Sequence, residues 1–100
     1  MDAPVVPLPT LDSLQLFVRH TLCEHDRIDP DEAGMRRALI RRHGKPCGLF
    51  FQIAGPRLLK TYAVWSSEEH RVLFYDSTGG RIREFRLSEE PDAAQFDRAA

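Results

Sequence analysis

Gly48-Leu-Phe-Phe-Gln-Ile-Ala-Gly-Pro-Arg-Leu-Leu-Lys-Thr-Tyr-Ala-Val-Trp65 opens the part of the chain that decides the fold. Two further apolar runs follow it, Arg71-Val-Leu-Phe-Tyr75 and Arg81-Ile-Arg-Glu-Phe-Arg-Leu87. Aromatic and β-branched runs punctuated by Gly55-Pro56, by Ser67 to His70 and by Gly79-Gly80 predict an antiparallel meander. Its four strands are expected over about 48–54, 57–66, 71–78 and 81–88. Gly55-Pro56 read as a two-residue turn sets Phe50 opposite Thr61 and Leu49 opposite Tyr62. The second loop sets Trp65 opposite Val72 and Ala63 opposite Phe74. Gly79-Gly80 read as a type I′ turn sets Phe74 opposite Phe85 and Asp76 opposite Arg83.

In that register one sheet face collects Phe50, Ala63, Trp65, Val72, Phe74 and Phe85. The other collects Leu49, Phe51, Ile53, Tyr62, Val64, Leu73 and Tyr75. An antiparallel sheet with one wet face alternates apolar and polar residues, and this sheet does so on neither side. Something must cover each face.

Upstream of the meander the spacing turns helical. Asp12 followed by Gln15 matches a capping box, and Leu14, Phe17, Val18, Thr21, Leu22 and His25 fall on one stripe, which predicts a helix over 12–25. Asp29-Pro30-Asp31-Glu32 combines a cap, a first-turn proline and acids. Met35, Leu39 and Ile40 supply an inner stripe, and Gly44 and Pro46 supply a stop. Those signals predict a second helix over 30–43. The expected fold is α+β and two-layered, with two helices packed on a four-stranded antiparallel sheet. The Pro-rich segment 1–9 is expected as a flexible arm, 10–88 as a single domain and 89–100 as a flexible acidic tail.

With 100 residues there is room for one core. No apolar run reaches the ~20 residues needed to span a bilayer, and the N-terminus has no basic region of the kind that opens a signal peptide. The expectation is a cytoplasmic chain with no membrane association and with Cys23 and Cys47 as reduced thiols. Charge is sorted along the sequence. Arg36, Arg37, Arg41, Arg42, Lys45, Arg57 and Lys60 lie between Ala33 and Ser67 with no acid among them, and the remainder carries a balance of −8.

Each cluster of reactive side chains has a bland alternative. His20, Cys23, His43 and Cys47 are the one set that could close a tetrahedral zinc site, but loose His and Cys spacings often match such sets by accident, and no cofactor or metal is expected. Arg37, Arg41, Arg42 and Lys45 could face phosphates from one helix end, making nucleic acid or another anion the alternative ligand. Phe51, Tyr62 and Tyr75 share an expected face with Lys60 and Arg86, which suits stacked bases, although packing against protein is the commoner use of such aromatics. No nucleophile elbow, phosphate-binding glycine loop or helical metal-protease motif is present, so no enzyme activity is expected. The leading expectation is a small interaction module. Its leftover apolar face, around Phe51, Tyr62, Val64, Leu73 and Tyr75, would receive a second copy or another protein.

Overall fold

In the computed structural model the described residues are 3–29, 31–54 and 60–99. Strands β1 (Val5–Pro7), β2 (Gly34–Arg42), β3 (Lys45–Ala54), β4 (Lys60–Ser66), β5 (Arg71–Tyr75) and β6 (Arg81–Glu89) form one sheet in the order β1-β6-β5-β4-β3-β2. Neighbours from β2 to β6 are antiparallel, and β1 runs parallel to β6. Helix α1 (Leu11–Asp26) and a 3₁₀ segment (Ala93–Ala99) complete the elements.

The expected architecture of two helices on a four-stranded meander is therefore wrong. The described residues hold one α-helix and a six-stranded mixed sheet. The second helix, expected over 30–43, is strand β2. Its residues alternate, with Met35 opposite Ile53, Arg37 opposite Phe51 and Leu39 opposite Leu49. Gly44 does not stop a helix. With His43 it forms a two-residue turn between Arg42 and Lys45, and both take positive φ, 54° and 78°. That is the backbone twist tight hairpins need, and histidine is among the non-glycine residues that enter this region most readily.

The proline-rich segment expected as an arm contributes β1, held by Arg86 N–H donating to Pro4 O and Leu8 N–H donating to Glu89 O. Leu8 is buried beneath it. The segment beyond Glu89 docks as well. Pro91 and Ala93 are buried, and Phe96 meets the Trp65 ring edge-on at 6.2 Å.

Helix α1 is capped two residues earlier than Asp12 suggests. Thr10 is the N-cap, its hydroxyl accepting from Ser13 N–H while Ser13 Oγ accepts from Thr10 N–H. Leu14, Val18, Leu22 and Cys23 are buried on the sheet side, and His25, expected on the inner stripe, is exposed. Phe17 packs edge-on against Phe74 and Phe85, at 6.2 and 4.9 Å.

The β4–β5 register agrees with the sequence reading, Trp65 opposite Val72 and Ala63 opposite Phe74. The other two hairpins differ. Phe50 lies opposite Val64, not Thr61, and Leu49 opposite Trp65. An odd displacement sends every β3 side chain to the other face, so Leu49, Phe51 and Ile53 join the helix-covered core and Phe50 leaves it. The Gly55-Pro56 turn that set the expected register lies outside the described residues. In the last hairpin Val72 faces Phe85 and Phe74 faces Arg83, across an irregularity beside Tyr75. That even displacement keeps the faces. Asp76 folds over its own turn, its Oδ1 accepting from the N–H groups of Thr78 and Gly80 and from the Thr78 hydroxyl. Of the two turn glycines only Gly79 has positive φ.

The core thus lies between α1, the C-terminal segment and one sheet face. Leu39, Leu49, Trp65, Val72 and Phe85 form one row across five strands. Phe51, Ala63 and Phe74 form the next, the alanine leaving room for both rings.

Candidate functional site: the helix-free face of the sheet

No element among the described residues packs over the second face, which is built from the alternate positions of the same strands. Phe50, Val64, Leu73 and Glu84 make one row, and Gln52, Tyr62 and Tyr75 make the row beside it. Of the residues expected to form a partner surface, Tyr62, Val64, Leu73 and Tyr75 are here, and Phe51 is not. Phe51 is fully buried under α1, and Phe50 takes its place. That exchange follows from the odd register displacement of β3, a signal that no local pattern in Leu49-Phe50-Phe51 carries.

The aromatics are stacked on one another. Tyr62 and Tyr75 lie 4.9 Å apart with planes 15° from parallel, and Phe50 meets Tyr62 at 5.6 Å and 34°. The tyrosine separation matches the ~4.8 Å spacing of adjacent strands, so the two rings stand upright side by side. Tyr62 is thus flanked by Phe50 on one side and Tyr75 on the other, and the ring rims point outward. Phe50, Tyr62, Val64, Leu73 and Tyr75 are accordingly all half-buried.

Cations border this patch. Strands β2 to β6 carry ten basic residues, four of them in β2 and three in β6, against two acids, Glu84 and Glu89. The segregation seen along the sequence is thus a segregation of the sheet from the helix and loops. Arg36, Lys60, Arg71 and Arg86 share the parity of the open face. Glu84 sits between two of the border cations, with Arg71 Nη1 at 2.9 Å and Arg81 Nη1 at 3.4 Å. At one end of the face an open groove of about 480 Å³ runs past Ile40, Val64 and Ser66 to the Arg42–Glu68 ion pair.

The anion-binding candidates Arg37, Arg41, Arg42 and Lys45 lie on the β2–β3 hairpin, not on a helix end. Arg37 donates to Gln15 Oε1 on α1, at 2.7 Å. The zinc candidates are dispersed. His20 is exposed on α1, Cys23 is buried on its inner side, His43 is in the β2–β3 turn and Cys47 is half-buried on β3. Among the described residues no group of three or more His, Cys, Asp or Glu side chains is placed to hold a metal ion. Burial pushes the Cys23 thiol up, against a smaller opposing effect of Arg19, which keeps it protonated and poorly nucleophilic. No helix among the described residues is long and apolar enough to cross a membrane.

A further polar tie belongs to the C-terminal segment, and no local sequence pattern marks it. Glu90 Oε1 accepts from Trp65 Nε1 at 2.9 Å, and its Oε2 pairs with His70 Nδ1. One carboxylate thereby joins β4, the β4–β5 loop and the end of the chain. Compared with protein-family models, curated proteins and solved structures, the chain matches none.

Proposed function

We propose that this chain is a non-enzymatic docking module whose helix-free sheet face receives a protein partner carrying acidic groups at its rim. The upright Tyr62–Tyr75 stack is the observation that carries the reading. Tyrosine rims combine an apolar flank with a hydroxyl and lose little side-chain entropy on binding, and Tyr and Arg are over-represented where partners bind tightly. Phe50, Val64 and Leu73 extend the apolar area, and Arg36, Lys60 and Arg71 supply a cationic border. Base stacking, the nucleic-acid alternative, requires ring faces lying open, and here Tyr62 is flanked on both sides, by Phe50 and by Tyr75. A second copy would bring one cationic border onto another, so self-association is the weaker occupant.

Benzoylphenylalanine in place of Tyr75, irradiated in cells and analysed by mass spectrometry, tests this. The expected product is a discrete adduct with a different protein, absent when the same probe replaces Leu16 on the exposed side of α1. An adduct between two copies would replace the foreign partner with a homodimer. Labelling from Tyr75 no stronger or more selective than from Leu16, in a variant that still melts cooperatively, would sink the docking reading.

A further inference from the structure

The two edges of the sheet are unlike. At one, β1 spans only Val5–Pro7, with a proline in the last position, and short edges with proline are poor templates for another strand. At the other, β2 runs for nine residues, and β3 is its single strand partner among the described residues. Alternate β2 residues therefore turn their N–H and C=O groups away from the sheet, as every edge strand does.

Four arginines punctuate that edge symmetrically about Leu39: Arg36 and Arg37 before it, Arg41 and Arg42 after it. All four are exposed. Strand alternation divides them between the two sides. Arg36 belongs to the helix-free side, while Arg37 lies on the α1 side and bonds Gln15. The irregularity at Ile40/Arg41 leaves Cys47 of β3 without an opposite residue, so β2 itself keeps its alternation, with Arg41 on the side of Arg37 and Arg42 on the side of Arg36. A second copy pairing antiparallel about Leu39 would set Arg36 against Arg42 and Arg37 against Arg41, so that every arginine meets an arginine. Like charges directly opposite one another destabilise a strand pair.

We infer that the β2 edge recognises an extended acidic peptide segment by strand addition, with paired acids flanking a three-residue spacer. Such a segment satisfies the open backbone groups and presents carboxylates on both sides of the sheet at once, as β-augmentation requires. A nucleic-acid backbone lying on one surface reaches the guanidinium groups of one side and makes no ladder. The existing contacts of Arg37 with Gln15 and of Arg42 with Glu68 are between exposed groups, and such contacts exchange at little cost. This site shares Arg36 with the border of the helix-free face but does not depend on the docking proposed there.

The probe is the blocked peptide Thr-Glu-Glu-Val-Thr-Val-Glu-Glu-Thr, titrated into the intact chain and followed by amide hydrogen exchange. Binding is expected to slow exchange at alternate β2 amides. Arg37→Glu with Arg41→Glu should weaken binding at least tenfold, and a peptide with lysines replacing only its two inner glutamates, which face positions 37 and 41, should bind that variant, which also shows that the variant is folded. Binding without protection of β2 amides overturns the inference. So does the absence of binding at millimolar peptide. A mixed single-stranded oligonucleotide that binds more tightly than the peptide, with a steeper salt dependence, would assign the edge to nucleic acid instead.

Discussion

Phe50 and Phe51 are neighbours in the chain and occupy opposite sides of one strand, in two different physical settings. Phe51 is sealed between Ala63, Phe74 and α1, and its side has rows of apolar residues with no charge at the centre. Phe50 leans on Tyr62 in a half-covered layer bordered by arginine and lysine. Both sides are apolar in composition, yet only one is a core. The difference lies in what happens at the margins. The covered side is closed by Leu8, Phe17 and Phe96, drawn from both ends of the chain, while among the described residues the open side is closed only by the contact of its own rings.

The sharpest way to break that comparison is to truncate each phenylalanine in turn. Phe51→Ala should cost about 3–5 kcal/mol, as large core truncations do, whereas Phe50→Ala should cost about 1 kcal/mol. Chemical denaturation measures both, and equal losses would show that the open face is buried in solution by another molecule. Gly48→Ala comes next. A Cβ there would fall 1.9 Å from Trp65 O, so β3 and β4 must separate where they support the covered row. The expected loss is about 2–3 kcal/mol, read from the midpoint of thermal unfolding, and an unchanged midpoint would mean that the two strands are not so close.

Glu90 tests how the covered side is closed. Glu90→Ala leaves the part-buried Trp65 N–H without its acceptor, at an expected cost of about 1–2 kcal/mol. The fluorescence of the single Trp should shift to the red as the C-terminal segment loosens. Glu90→Gln retains an acceptor and should lose less. The smallest effect belongs to a turn outside both layers. Hydrogen bonds from Thr78, first through its side chain, and from Gly80 hold the Asp76 carboxyl below its ordinary 3.8. A carboxyl with a depressed folded pKa contributes stability above its unfolded value and loses it as pH falls through the folded one. Wild type should therefore lose slightly more stability than Asp76→Asn below about pH 4, and parallel acid titrations of the two proteins would remove the turn from the account.

Local grammar carried α1 and the β4–β5 hairpin, because Leu14, Val18 and Leu22 repeat with helical spacing and Val64 to Val72 spans a loop of unambiguous polarity. β2 was illegible for a specific reason. Asp29-Pro30-Asp31-Glu32 and Gly44 bracket it with helix signals, and Met35, Leu39 and Ile40 suit either period. What decided the matter was the pairing of Arg37 with Phe51 and Leu39 with Leu49, which is tertiary. The β3 register failed because a turn taken at Gly55-Pro56 imposes the wrong parity. Of the candidate partner face, Tyr62, Val64, Leu73 and Tyr75 were legible from β4 and β5 alone, and Phe51 was lost with the parity of β3. The cationic border and the Glu90 tie join residues far apart in sequence, and no local pattern marks them.

The parallel pairing of β1 with β6 has a kinetic meaning. Val6 faces Leu87, so the loop that closes this pair is nearly the whole chain, and its entropy must be lost before the contact gives anything back. The antiparallel hairpins from β2 to β6 need only short closures and can assemble while β1 is still free. β1 is then the last strand to arrive and, with Val5 largely exposed and only three paired residues broken by a register shift between Val6 and Pro7, among the first to leave. Each time it detaches, β6 becomes a long edge carrying Arg81, Arg83 and Arg86. Three residues of β1 thus cover an edge that, with Glu84 and Glu89 among its arginines, has no single-sign charge to repel another strand.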